Sequence, residues 1–192
     1  MNGNPGSAAV SQYPDRLQCE VAVIPSSQLQ HILPAMGCLD LTDVREVGRW
    51  GEKLVYHYLI SHYTVLLPTG TSGANSSTSS ADSVLDIRKK VDIQWLNEVE
   101  ESRAAYDFIV TNNQIIGKDR TTYIEVKTTR FSDLNVFELS LWEWEFAVKE
   151  PRVPYHIYRV LNAGDAANVK MVIVKDVLKS VQERNIKLCL AL

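Results

Sequence analysis

The spacing of apolar and polar residues marks out a run of helices and strands. Val47, Trp50, Leu54, Val55, Tyr58 and Leu59 recur at the three-to-four interval of one helical face. Asp43 stands where an N-terminal acid belongs, and Glu46 suits the first turn of that helix. An apolar run over 63–67, before Pro68, fits a strand or a buried extension. Strand character then takes over at 91–96, 106–110 and 121–129, which are rich in β-branched and aromatic residues. Between the last two, TNNQIIGKDR has the Asn, Gly and Asp of a hairpin loop. Asn97-Glu98-Val99-Glu100-Glu101 is expected to be a solvated acidic turn. Ser140-Leu141-Trp142-Glu143 is a capping box opening a second helix, with Leu141, Trp144, Ala147 and Val148 on its apolar side. Pro151 and Pro154 end it. A strand pair at 155–161 and 169–174 closes around Asn162-Ala163-Gly164-Asp165, followed by a helix at 177–182 and a terminal strand at 187–192.

Composition sets the domain plan. Residues 1–40, rich in Gly, Pro, Ser and Gln, are expected to be a disordered tail, and 41–192 one domain. The stretch TGTSGANSSTSSADS cannot bury enough apolar surface to offset chain entropy, so a flexible insertion is expected at about 69–90. No apolar run approaches the roughly 20 residues that span a bilayer, and the first thirty residues lack the pattern of a secretory signal. Cys19, Cys38 and Cys189 are odd in number and far apart, which fits a reducing compartment and neither a disulfide framework nor a metal cluster. Net charge is −3, and from Leu41 onward 20 acidic residues face 19 basic ones. Such a balance exerts no global pull on nucleic acid or anionic membrane, so a polyanion would need a local patch.

The chemistry concentrates in Tyr123-Ile124-Glu125-Val126-Lys127-Thr128. Strand alternation sends Ile124 and Val126 to the core and puts Glu125 and Lys127 together on the other face. Pairing with the preceding strand, where Phe108 and Val110 face the core, brings Asp107 near Glu125. Two close carboxylates call for a cation or a raised pKa, and hard oxygen ligands suit Mg²⁺. A lysine beside such an ion can orient a water or help deprotonate it, and can neutralise charge developing on a phosphate. Glu52 lies at the border of the first helix's apolar stripe, placed to reach the same site.

The helix glutamate, Asp107, Glu125-Val126-Lys127 and the following helix together resemble the PD-(D/E)XK nuclease superfamily. More closely, Gly48-Arg49-Trp50-Gly51-Glu52, Ser102-Arg103-Ala104-Ala105-Tyr106-Asp107 and Ile124-Glu125-Val126-Lys127-Thr128-Thr129-Arg130 resemble the C-terminal domain of the plant NO VEIN protein. Leu139-Ser140-Leu141-Trp142-Glu143-Trp144-Glu145 and Tyr155-His156-Ile157-Tyr158-Arg159-Val160 extend the similarity over roughly 44–192. The resemblance implies a restriction-endonuclease-like α/β fold, a mixed central sheet flanked by helices. It also implies catalytic roles for Asp107, Glu125, Lys127 and Glu52, with Asp107 and Glu125 holding Mg²⁺. A nuclear protein of plant development is implied too, with an ATPase-like region upstream that this sequence lacks. Tyr106 precedes the first acid where the motif's name has proline.

Two functions remain open on the sequence: a Mg²⁺-dependent nuclease acting on DNA or RNA, and a catalytically inactive module for protein or nucleic-acid partners. Plainer readings also compete at single residues. Ser140 and Glu143 are a cap before they are a site. Lys149, Arg152 and Arg159 fit phosphate contacts and scattered surface charge equally well. Trp95, Trp142 and Trp144 belong to core or interface, or stack on bases. His57 and His62 share no helical face that would suit a metal. Gly48 and Gly51, inside a helix, are expected where the helix packs closely on the sheet.

Overall fold

The computed structural model describes residues 21–37, 42–66, 90–113, 121–132 and 136–189. Strands β1 (Val21–Ile24), β2 (Val91–Trp95), β3 (Phe108–Asn112), β4 (Thr121–Thr128), β5 (Tyr155–Leu161) and β6 (Lys170–Val174) form one sheet in the order β1-β6-β5-β4-β3-β2. Only β4 and β5 are parallel; the other neighbours are antiparallel. A parallel pair needs a crossover, and helix α3 (Leu141–Lys149) lies within it. Asn162 (φ 58°) and Gly164 (φ 84°) make the β5–β6 turn.

Helices cover both faces of this mixed sheet, as the expected fold class requires. On one side α2 (Val44–Leu66) buries Val47, Trp50, Leu54, Val55 and Leu59 against Phe108, Ile124, Val126 and Val160. The Asp43 carboxylate accepts from the Arg45 N–H at its start. On the other side Ala147 of α3 and Val177 of α4 (Val177–Gln182) pack with Tyr155, Ile157 and Val174. Three successive residues of β4, Ile124, Glu125 and Val126, are therefore buried. Among the described residues no helix is long and apolar enough to cross a membrane.

The expected tail over 1–40 needs correction from Val21 onward. Val21–Ile24 pairs with β6, and α1 (Ser26–Leu29) and a 3₁₀ turn (Leu33–Ala35) follow. Leu29, Ile32 and Met36 enter the main core at 0, 7 and 5% exposure. Each such side chain contributes about 1.5–3 kcal/mol on burial, enough to hold a segment whose composition is otherwise polar. The expected insertion falls mostly on 67–89, outside the described residues, as does the hairpin loop at 114–120.

Two smaller expectations change, and one open reading is decided. Of the two readings of the run at 63–67, the extension holds over 63–66, which end α2. Residues 187–189 form no strand, and 190–192 lie outside the described residues. Leu141 and Val148 are exposed at 73 and 43%, because α3 rests on the sheet through Ala147, with Phe146 partly buried.

The two glycines of α2 differ. A Cβ on Gly51 would lie 1.8 Å from Thr128 Oγ1, so close packing on β4 excludes any side chain there. A Cβ on Gly48 would meet nothing within 4 Å. Close packing therefore does not explain Gly48. Gly48→Ala should stabilise the protein by about 0.5–1 kcal/mol, since alanine loses less backbone entropy in a helix. Urea denaturation checks the sign; a loss would mean that the position serves something other than helix formation.

Candidate active site

The β3–β4 ladder runs as far as Phe108 opposite Ile124 and then opens. One residue earlier, Asp107 N–H still donates to the Ile124 carbonyl at 2.9 Å, while the Asp107 carbonyl accepts from Leu96 N–H. At the next ladder position the Asp107 side chain replaces a strand. Its Oδ2 accepts from Val126 N–H at 2.7 Å, and its Oδ1 from Asn97 Nδ2 at 2.7 Å. A β-strand thus ends in a carboxylate pinned to the backbone of its neighbour.

Alternation along β4 does the rest. Ile124 and Val126 belong to the α2-side core, and Glu125 and Lys127 point to the α3 side. Lys127 Nζ lies 2.8 Å from Glu125 Oε1 and 3.0 and 2.9 Å from the two oxygens of Glu143 on α3. Glu143 also closes the capping box: its Oε2 accepts from Ser140 N–H, while the Ser140 hydroxyl accepts from Glu143 N–H. Cap and site are the same residue.

From the other side Gly51 lets α2 approach β4, and the next residue, Glu52, faces the fork. Glu52 Oε2 accepts from Trp95 Nε1 at 2.8 Å, and its carboxylate also hydrogen-bonds Asn97. Asn97 therefore ties Glu52 to Asp107, and its own Oδ1 is fixed by Ser102 N–H. Underneath, Tyr155 donates its hydroxyl to the Ala105 carbonyl at 2.6 Å and packs its ring on Phe146, which in turn meets Tyr106 and Tyr123.

The charges are unusual. Asp107 and Glu125 are 8 and 7% exposed. Burial pushes the Asp107 carboxyl up first, with Glu52 adding to it; burial and then Asp107 do the same to Glu125. Glu52 is raised as well, chiefly by burial, against the hydrogen bonds of Trp95 and Asn97. Burial pulls Lys127 down, but Glu125 and Glu143 outweigh it and hold the ammonium above its ordinary range. Lys127 is thus held in its charged form by the two carboxylates that flank it.

All four residues expected from the sequence meet here: Asp107, Glu125 and Lys127 at the fork, and Glu52 beside Asp107 through Asn97. Sequence reasoning missed Asn97 and Glu143. The first is buried at the head of a turn expected to be solvated, with no distinguishing signal nearby. Glu143 was hidden by its sufficient role as a cap.

The family described as Protein NO VEIN, C-terminal, matches residues 78–173, half of the 192-residue chain. That span holds Asn97, Asp107, Glu125, Lys127 and Glu143, while Glu52 precedes it. Protein NO VEIN-LIKE of Arabidopsis thaliana is 30% identical over 125 residues, 65% of this chain. Protein NO VEIN of the same plant is 27% identical over 117 residues, 61% of this chain. The matches cover 15 and 3% of those much longer relatives. No solved structure matches.

Proposed function

The chain belongs to the family of the NO VEIN C-terminal domain, and on that premise we propose a nuclease-like, nucleic-acid-binding domain on the PD-(D/E)XK plan. It would act as part of a plant nuclear developmental regulator. The observation that carries the proposal is the meeting of Asp107, Glu125 and Lys127 at the β3–β4 fork.

The donor chemistry fits Mg²⁺. Asp107 and Glu125 offer hard oxygens that repel one another, and one or two carboxylates suffice for an ion that takes its remaining ligands from water and phosphate. These two residues would hold the ion, which when bound supplies Lewis-acid charge to the scissile phosphate. The protein's own groups do the positioning. Lys127, fixed by Glu143, orients the attacking water and offsets negative charge developing on the phosphate. Asn97 holds the Asp107 carboxylate in place, and Tyr155 ties down the chain just before it.

A catalytically inactive interaction module is the second reading, and two observations favour it. Both Asp107 oxygens are already engaged, and among the described residues no three His, Cys, Asp or Glu side chains form a metal-holding group. Calorimetric titration of Mg²⁺ or Mn²⁺ decides. Uptake by the wild type, lost in the Asp107→Ala, Glu125→Ala double variant, is expected for the hydrolytic domain. Absence of uptake, even with a short duplex present, would leave the interaction module.

A further inference from the structure

Among the described residues β2 pairs with β3 and with no other strand, which puts it at one edge of the sheet. Its register with β3 is unbroken from Val91 to Trp95, with neither a bulge nor a proline to blunt it. Leu96 N–H donates to the Asp107 carbonyl, and the Lys90 carbonyl accepts from Asn113 N–H. Asp92 and Gln94, in phase with these two residues, also turn their backbone towards β3. The N–H and C=O groups of Val91, Ile93 and Trp95 therefore point out from the sheet, as a ready template for another strand. Along this edge runs a groove of about 390 Å³, bordered by Tyr56 and Ile60 of α2 and by Glu98, just past the Trp95 end.

The edge is complementary to itself. In an antiparallel pair of two copies centred on Ile93, outward-facing residues meet outward-facing residues, so the hydrogen-bond phase matches. Val91 then lies opposite Trp95 of the second copy, a β-branched residue against an aromatic one, and Ile93 opposite its own counterpart. Asp92 lies opposite Gln94; within one chain Gln94 Nε2 already donates to Asp92 Oδ2 at 2.7 Å, so the same two groups can bond across the pair. Lys90, at the start of the strand, comes to the end where the other copy carries the exposed Glu98, and the twofold makes this contact twice. We propose that the protein forms a twofold dimer through β2, joining two six-stranded sheets into one. Apolar side chains of the second copy's β2 then fill the groove beside Tyr56 and Ile60. Trp95 lies in this interface and holds Glu52 through Nε1, so the dimer braces the side of the site that carries Glu52.

Sedimentation velocity on the full chain tests this, at low ionic strength so that the charge contacts are not screened. With rising concentration the wild type should pass from 21.6 kDa to twice that mass. Hydrogen exchange at the Val91, Ile93 and Trp95 amides should slow over the same range. Lys90→Glu sets two acids against each other at both contacts, and Glu98→Lys sets two bases. Each variant alone should raise the dissociation constant about tenfold. An equal mixture of the two should associate as the wild type does, because every contact then joins an acid to a base. A folding defect in either variant could not be repaired by mixing, so recovery speaks for the interface itself. A wild type that stays monomeric, single variants that associate as tightly as it does, or a mixture no tighter than its components would overturn the proposal. So would protection confined to other amides. The open edge would in each case be left to a strand of a different protein.

Discussion

Gly51→Ala is expected to destabilise the protein by about 1–3 kcal/mol, although alanine favours a helix over glycine. The new Cβ would lie 1.8 Å from Thr128 Oγ1 and 2.8 Å from both Cβ and Cγ2. Turning the threonine about χ1 moves Oγ1 and Cγ2 but leaves Cβ where it is, so rotation cannot clear the overlap. The helix must back away from β4. That retreat also draws Glu52 from the fork, loosening its bonds to Trp95 and Asn97. Thermal melting and urea denaturation check the size of the loss. Thr128→Ala, which removes Oγ1 and Cγ2 but keeps Cβ, should recover only part of it. An unchanged stability in Gly51→Ala would mean that α2 is free to settle elsewhere, and the placing of Glu52 would fall with it.

The second large effect separates two residues that look alike in sequence. Asp107→Asn should cost about 1–3 kcal/mol, because a buried polar group would lose its partner. Both carboxylate oxygens accept hydrogen bonds, one from Val126 N–H and one from Asn97 Nδ2. An amide presents its NH₂ to one of these donors whichever way it turns. Asn97 cannot simply flip, since its own oxygen accepts from Ser102 N–H.

Glu125→Gln should do the reverse in metal-free protein. Glu125 is held up in pKa by burial and by Asp107, so its ionised form opposes folding. A carboxyl raised in the folded state binds more protons folded than unfolded. Its favourable contribution is complete below the ordinary carboxyl value of about 4 and is lost as pH climbs through the raised folded value. The metal-free wild type should therefore weaken from mildly acid to alkaline pH, and Glu125→Gln should weaken less. At pH 8 the variant should be the more stable by about 1 kcal/mol, with Lys127 still held by Glu143. Denaturation midpoints across pH measure this. If both variants lost stability alike and the pH dependence were flat, the two carboxylates would not be the repelling buried pair described above.

Much of this molecule can be read from local pattern. The period of Val47 to Leu59 specifies which face of α2 is buried, and alternation in 124–127 separates Ile124 and Val126 from Glu125 and Lys127. Ser140 and Glu143 announce a helix start because a capping box is complete within four residues. Asp107, Glu125, Lys127 and Glu52 could be selected together because strand and helix periodicities limit where side chains point.

What needed the tertiary structure is what depends on partners far along the chain. Leu29, Ile32 and Met36 sit in a polar context that reads as a tail, and only the core they enter makes their burial worthwhile. Gly48 and Gly51 are indistinguishable locally; Thr128, 77 positions beyond Gly51, makes one of them obligatory. Asn97 and Glu143 gain their roles from Asp107 and Lys127, which reach them only after the sheet forks and α3 crosses over. Periodicity specifies the direction of a side chain within its own element, because backbone geometry repeats over a few residues. Which atom waits at the other end is set by how elements pack, and that is a property of the whole fold.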